Sequence, residues 1–148
     1  MIRTMTIADY DEVYALWTKI SGFGIRSIDD SHEGVARFLK RNPKTSVVAV
    51  CDEKIVGSVL CGHDGRHGSF YHVCVDEDYR RRGIGREMVV SAMEVLKSEH
   101  INKISLIAFA KNDAGNAFWN TIGWESHDDI NYYDFALNAE NITAFNEQ

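Results

Sequence analysis

At 148 residues the chain suits one domain with a substantial core, and 45% hydrophobic with 26% charged residues excludes a disordered or fibrous protein. A formal net charge of −6 argues against a nucleic-acid binder, which needs a basic face, and is compatible with cationic amine partners. One proline and no repeat or low-complexity tract leave no linker, so residues 1–148 are expected to form a single domain. No run approaches a membrane span, and Met1 to Lys19 contains no stretch of signal-peptide length; the expected location is the cytoplasm, with no membrane partner. Cys51, Cys61 and Cys74 are odd in number and lie in apolar runs, which suggests buried small hydrophobes rather than a disulfide framework or a metal site.

A short strand at Ile2 to Met5 opens the chain. Thr6-x-x-Asp9 reads as a capping pair starting a helix whose apolar face carries Val13, Leu16, Trp17 and Ile20. Ser21 to Ser27 breaks it with two glycines, and Asp29 to Lys40 predicts a second helix ending before Asn42-Pro43. Ser46 to Cys51 and Ile55 to Gly62 are β-rich runs joined by Asp52-Glu53-Lys54, and the turn His63 to Gly68 leads into a third strand, Ser69 to Val75. A long helix from Ile84 to Lys97, a strand from Lys103 to Phe109 and a short helix from Asn112 to Ile122 follow. Trp124 to Ser126 and Tyr132 to Leu137 read as two last strands.

The chemistry concentrates between Val73 and Arg86. An apolar strand ends at the acidic turn Asp76-Glu77-Asp78, and Arg80, Arg81, Arg82, Gly83, Ile84, Gly85 and Arg86 lead into the long helix. Glycines let the backbone approach a ligand closely, and the first N–H groups of a helix have no partner within it. Such an end attracts anions, and the arginines add full positive charge around the same point. Three arginines alone would read as a basic turn capping a helix; the two glycines between strand and helix favour a ligand. A nucleoside-triphosphate loop would need Gly-Lys-Ser/Thr, and a dinucleotide fingerprint a third glycine or alanine after an early strand. Neither is present.

The stretch resembles the acyl-CoA loop of the GNAT superfamily of N-acyltransferases, Arg/Gln-x-x-Gly-x-Gly/Ala, matched as Arg80-x-x-Gly83-x-Gly85. The element order is similar to that superfamily over nearly the whole chain, and Ile55 to Val59 with Gly62-x-Asp64-Gly65-x-x-Gly68 resembles the small bacterial proteins of the YpeA type. The resemblance implies an α+β fold: a mixed, mostly antiparallel sheet with helices on both faces, splayed between the strands ending at Val75 and Phe109. It implies acetyl-CoA as co-substrate in that gap, held by residues 80–86 and by main chain at Val73, Cys74 and Val75, with no metal. Asn112, Trp119, Gly123 and Trp124 match an Asn-x6-Tyr-x3-Gly-aromatic signature, which puts Asn112 near the pantetheine; as residues, Asn112-Asp113 also make a serviceable helix cap.

Two departures stand out. Trp119 occupies the position where relatives often carry a tyrosine that serves the departing thiolate, and an indole N–H can donate but cannot usefully lose its proton. Ile107 stands where some relatives carry a glutamate base. The candidates left for acid–base work are His72, Tyr71, Asp64, His67, Tyr132 and Tyr133, of which an imidazole titrates nearest neutrality. Cys74 has no evident base to activate it. Phe23 and Arg26 from the Ser21–Ser27 break, together with Asp64, are the expected acceptor contacts, although that break also reads as a plain connector. The implied reaction is acetyl transfer to a primary amine of a small molecule or protein by direct attack in a ternary complex. A CoA-binding sensor that has lost chemistry is the alternative, and a homodimer is compatible with either.

Overall fold

The computed structural model describes residues 1–147. Strand β1 (Ile2–Thr4) and a 3-10 turn (Ile7–Asp9) lead into helix α1 (Tyr10–Thr18); β2 (Gly24–Arg26) and α2 (His32–Arg41) follow. Strand β4 (Lys54–His63) runs antiparallel to both its neighbours, β3 (Val47–Cys51) and β5 (Gly68–Val75), and β1 pairs with β3. Asp52 and Glu53, at φ 52° and 62°, form the two-residue turn between β3 and β4, whose twist suits a tight hairpin. After β5 come a 3-10 turn (Glu77–Tyr79), α3 (Ile84–Ser98), β6 (Ile104–Ser105), α4 (Asp113–Thr121) and β7 (Thr143–Phe145).

The main sheet has the order β1-β3-β4-β5-β6, and only its last pairing is parallel. Eight consecutive residues of β4 are buried, as expected for a central strand covered on both faces. On one face α1 and α2 pack Val13, Leu16, Trp17, Val35 and Leu39 against Ile55 and Leu60; on the other, α3 packs Ile84, Met88, Val89, Ala92 and Leu96 against Val56, Val59 and Phe70. Val13, Val35 and Met88 are fully buried, and each such side chain contributes about 1.5–3 kcal/mol of burial. Trp17 donates its indole N–H to Ser58 Oγ at 3.1 Å, so the largest buried side chain also satisfies its polar atom.

The C-terminal third departs from the sequence expectation. The strand expected over Lys103 to Phe109 shrinks to Ile104–Ser105, and neither Trp124–Ser126 nor Tyr132–Leu137 forms a strand. Strand propensity expresses itself only against a partner edge, and Tyr133, Phe135 and Leu137 have no buried face, being 86–96% exposed. The Ser21–Ser27 break is not a plain connector. Its β2 pairs with β7 as a second, two-stranded sheet, and neither strand stands out in the sequence.

Candidate functional site

Strands β5 and β6 pair at only two positions, Gly68 with Ile104 and Ser69 with Ser105. Beyond Ser69 they part, and among the described residues no strand lies beside the outer edge of β5 from Phe70 to Val75. Asp76 donates its N–H to the Val56 carbonyl of β4 at 2.7 Å, so by antiparallel alternation the main chain of Val75 faces the open edge. There Arg80 Nε reaches the Val75 carbonyl at 3.1 Å.

The arginine loop closes the mouth of this opening. Arg81 and Gly83 take positive φ, 65° and 78°, and the chain enters α3 directly from the second. The first helical bond runs from Glu87 N to Gly83 O, so Ile84, Gly85 and Arg86 present N–H groups without helical partners. A Cβ at Gly85 would lie 3.4 Å from Phe118 of α4 and 3.7 Å from Val75, which seats the helix start between the two walls of the opening. Arg80 also faces Glu77, and Arg82 packs on the Tyr79 ring and reaches the Asp78 carbonyl. Arg81 and Arg86 have no side-chain hydrogen bond or ion pair among the described residues. This end of α3 therefore fits a polyanion such as a pyrophosphate: free amide donors, unspent guanidinium charge and a glycine surface open to close approach.

Asp76 anchors the loop from below. Its Oδ1 accepts from Asp78 N, its Oδ2 lies 2.6 Å from Lys19 Nζ and 3.9 Å from Lys54 Nζ, and Lys19, with the Asp78 amide, holds the buried carboxyl below the usual range. A carboxyl lowered in the folded state stabilises the fold above its unfolded pKa, and that stabilisation is lost as pH falls through the folded value. Thermal midpoints should accordingly drop on acidification below about pH 4, near the unfolded carboxyl value. Lys19→Met should flatten that acid limb; an unchanged limb would show that the pair does not drive it.

Above the opening β5 carries a bulge. Its register against β4 slips between Ser58↔Cys74 and Leu60↔Tyr71, so His72 and Val73 together oppose Val59. His72 sits at φ 50°, a left-handed conformation that costs a residue with a side chain on the order of 1–3 kcal/mol. The extra residue turns Tyr71 and His72 to the same face. Tyr71 packs on Phe38 of α2, and the His72 ring lies 4.7 Å from both Trp17 and Phe23. His72 Nε2 is 2.8 Å from Oδ1 of Asp30, whose side chain is 4% exposed. Asp30 Oδ2 accepts from Arg26 N at 2.7 Å, and its carbonyl accepts from Tyr10 OH at 2.7 Å. A Cβ at Gly34 would run into the backbone carbonyls of Ile28 and Asp29, so this loop can lie on α2 only over a glycine. Asn141 also fastens it, accepting from Ile28 and Asp29 N–H.

The other expected site residues are spread out. Trp119 packs on Trp124 with ring centres 4.8 Å apart and faces Phe118 and Phe70 in the layer on the α3 side of β5, opposite His72. Asn112 is the N-cap of α4, its Oδ1 accepting from Gly115 N. Tyr132 and Tyr133 are 66% and 86% exposed on an irregular segment, and Ile107 is 70% exposed. Of the acceptor candidates, Phe23 touches His72, whereas Arg26 is exposed on β2. Asp64 lines a cavity of about 320 Å3 with Phe38, Arg41, His63 and Tyr71, but its Oδ1 is engaged by the amides of Arg66 and His67. Burial pushes the Cys74 thiol up to about 11 and the Cys61 thiol to about 12, which keeps both from acting as thiolate nucleophiles. Among the described residues no cluster of three or more His, Cys, Asp or Glu could hold a metal ion, and no helix is long and apolar enough to cross a membrane.

Asp30 does not emerge as a site residue from the sequence, which places it inside a helix. Its partner lies 42 residues away in the chain, and no local pattern signals such a pair.

Residues 10–124 match the family described as Acetyltransferase (GNAT). An acetyltransferase of Sodalis glossinidius is 30% identical over 87% of this chain and 89% of its own length, and one of Pectobacterium atrosepticum is 31% identical over 87% and 90%. Among solved structures, the PaiA N-acetyltransferase of Thermoplasma acidophilum in complex with coenzyme A superposes over 100% of this chain and 98% of its own, with TM-score 0.72 and 15% identity. Ard1 of Thermoplasma volcanium does so over 83% and 80%, with TM-score 0.71 and 18% identity.

Proposed function

Since the chain belongs to the acetyltransferase (GNAT) family and is therefore an acetyl-CoA-dependent acyltransferase, we propose that its acceptor is a primary amine that attacks the thioester directly with both substrates bound. The observation that carries this reading is the parting of β5 from β6 beside a helix start with free amides and two arginines that are unpaired among the described residues. Residues 80–86 hold the pyrophosphate, Val73 and Val75 border the pantetheine arm, and Asn112 and Trp119 line its far wall. Bound there, acetyl-CoA supplies an activated acetyl carbonyl. In this reading residues 1–148 act as one domain in the cytoplasm.

His72 serves as base. It touches Phe23 on the face of β5 opposite Trp119, so the amine enters over Phe23 and meets the thioester at the open edge of β5. As the C–N bond forms and the C–S bond breaks, the amine proton passes to the imidazole and the sulfur leaves with its electron pair. No phenol on α4 protonates it. A thiol of ordinary pKa near ~8.5 leaves as thiolate at neutral pH at a cost of only about 2 kcal/mol, so an acid is dispensable. Direct attack is supported by the two buried thiols, whose raised pKa values disfavour an acyl-cysteine intermediate.

Release of free thiol from acetyl-CoA, measured across a panel of primary amines, tests the reading. Intersecting initial-rate lines are expected when both substrates are varied. Parallel lines would point to a covalent intermediate, and tight acetyl-CoA binding without turnover on any amine would favour a CoA-binding sensor.

A further inference from the structure

We propose that Asp30 is a positioning residue that fixes the tautomer of His72, keeping the proton on Nε2 and the lone pair on Nδ1; this rests on the reading of His72 as the base. An ionised carboxylate only accepts hydrogen bonds, and Asp30 accepts two: Arg26 N–H on Oδ2 at 2.7 Å and His72 Nε2 on Oδ1 at 2.8 Å. The second requires a proton on Nε2. Nδ1 then carries the free lone pair, and it has no hydrogen-bond partner among the described residues.

The surroundings prevent either group from escaping this arrangement. Trp17 and Phe23 each lie 4.7 Å from the imidazole and 6.1 Å from each other, so the ring cannot turn over to offer Nδ1 to Asp30 without disturbing the buried Trp17 and the half-buried Phe23. Asp30 is 3% exposed, and its backbone is held at both ends, by Asp30 N to Arg26 O at 3.1 Å and by Tyr10 OH to its carbonyl. The bulge at His72 and the loop over Gly34 thus converge on one hydrogen bond. Once the imidazole has taken the amine proton, the same carboxylate faces the new positive charge and stabilises it.

Asp30→Asn tests this with almost no change of shape. An amide has one oxygen, and the Arg26 N–H claims it; the NH2 group then faces Nε2 and demands a lone pair there, which drives the proton to Nδ1. The expected result is a kcat reduced by about 100-fold or more with the KM for acetyl-CoA unchanged within about twofold. Nitrogen-15 shifts of His72 should report Nε2–H in the wild type and Nδ1–H in the variant. A purely structural role would lower the thermal midpoint without moving the tautomer. Nδ1–H in the wild-type protein, which needs no variant to fold, overturns the proposal. So does an unchanged kcat in Asp30→Asn when His72→Gln is severely impaired; unchanged kcat in both variants removes the base itself, and the proposal with it.

Discussion

Replacing Gly83 by aspartate should weaken acetyl-CoA binding by two orders of magnitude or more and leave the fold in place. Gly83 is the N-cap of α3 at φ 78°, and a Cβ there would meet nothing within 4 Å. Aspartate tolerates the left-handed conformation better than most side chains, and the strain costs only about 1–2 kcal/mol at a surface turn. What changes is the charge. A carboxylate would stand at the amides of Ile84, Gly85 and Arg86, compete with the pyrophosphate for Arg81 and Arg86, and repel it. Each tenfold in affinity is about 1.4 kcal/mol, so a 100-fold loss asks for about 2.8 kcal/mol, within reach of losing one or two charge-assisted hydrogen bonds. Calorimetry at low and high salt checks this. The deficit should shrink as salt screens the added charge, and an unchanged affinity in a folded Gly83→Asp protein would remove the anion assignment of the loop.

That loop was legible in the sequence because everything it needs is local. Strand, acidic turn, arginines, two glycines and helix occupy Val73 to Ser98 without interruption, and the structure follows them to within a residue or two. Asn112 as a helix cap was equally readable, since a cap acts on amides a few residues away. The pair proposed for acid–base work was not. His72 could be named from its residue type, but the bulge that turns it toward Trp17 depends on register against β4, and Asp30 reaches it only after α1, α2 and β5 have packed. The C-terminal strands failed for a related reason. Tyr132 to Leu137 alternates like a strand but finds no edge, whereas Thr143 to Phe145, with no stronger pattern, pairs with Gly24 to Arg26. Distant pairing decides both cases.

His72→Gln should lower kcat by about 10²–10⁴-fold, the range typical of a removed general base, which corresponds to roughly 3–5 kcal/mol of barrier. Glutamine keeps an N–H donor for Asp30, so the buried carboxylate is not left wholly unpartnered, but its amide cannot accept the amine proton. Without the imidazole, Trp17 and Phe23 keep their contact with each other but each gives up an aromatic neighbour worth about 0.5–1.5 kcal/mol to the folded state, so the thermal midpoint should fall by a few degrees without unfolding the chain. Acetyl-CoA affinity should hold, because the arginine loop lies beyond the bulge and the His72 ring sits on the face of β5 opposite Trp119. The decisive comparison is across acceptors. An ammonium must lose a proton before it can attack, whereas an amine of low pKa arrives neutral and sheds its proton only as the C–N bond forms. The kcat loss in His72→Gln should therefore be largest for strongly basic amines and should narrow for weakly basic ones. A loss of the same size for every acceptor would mean that the ring orients the amine rather than deprotonating it, and no loss for any would mean that solvent water is sufficient as the base.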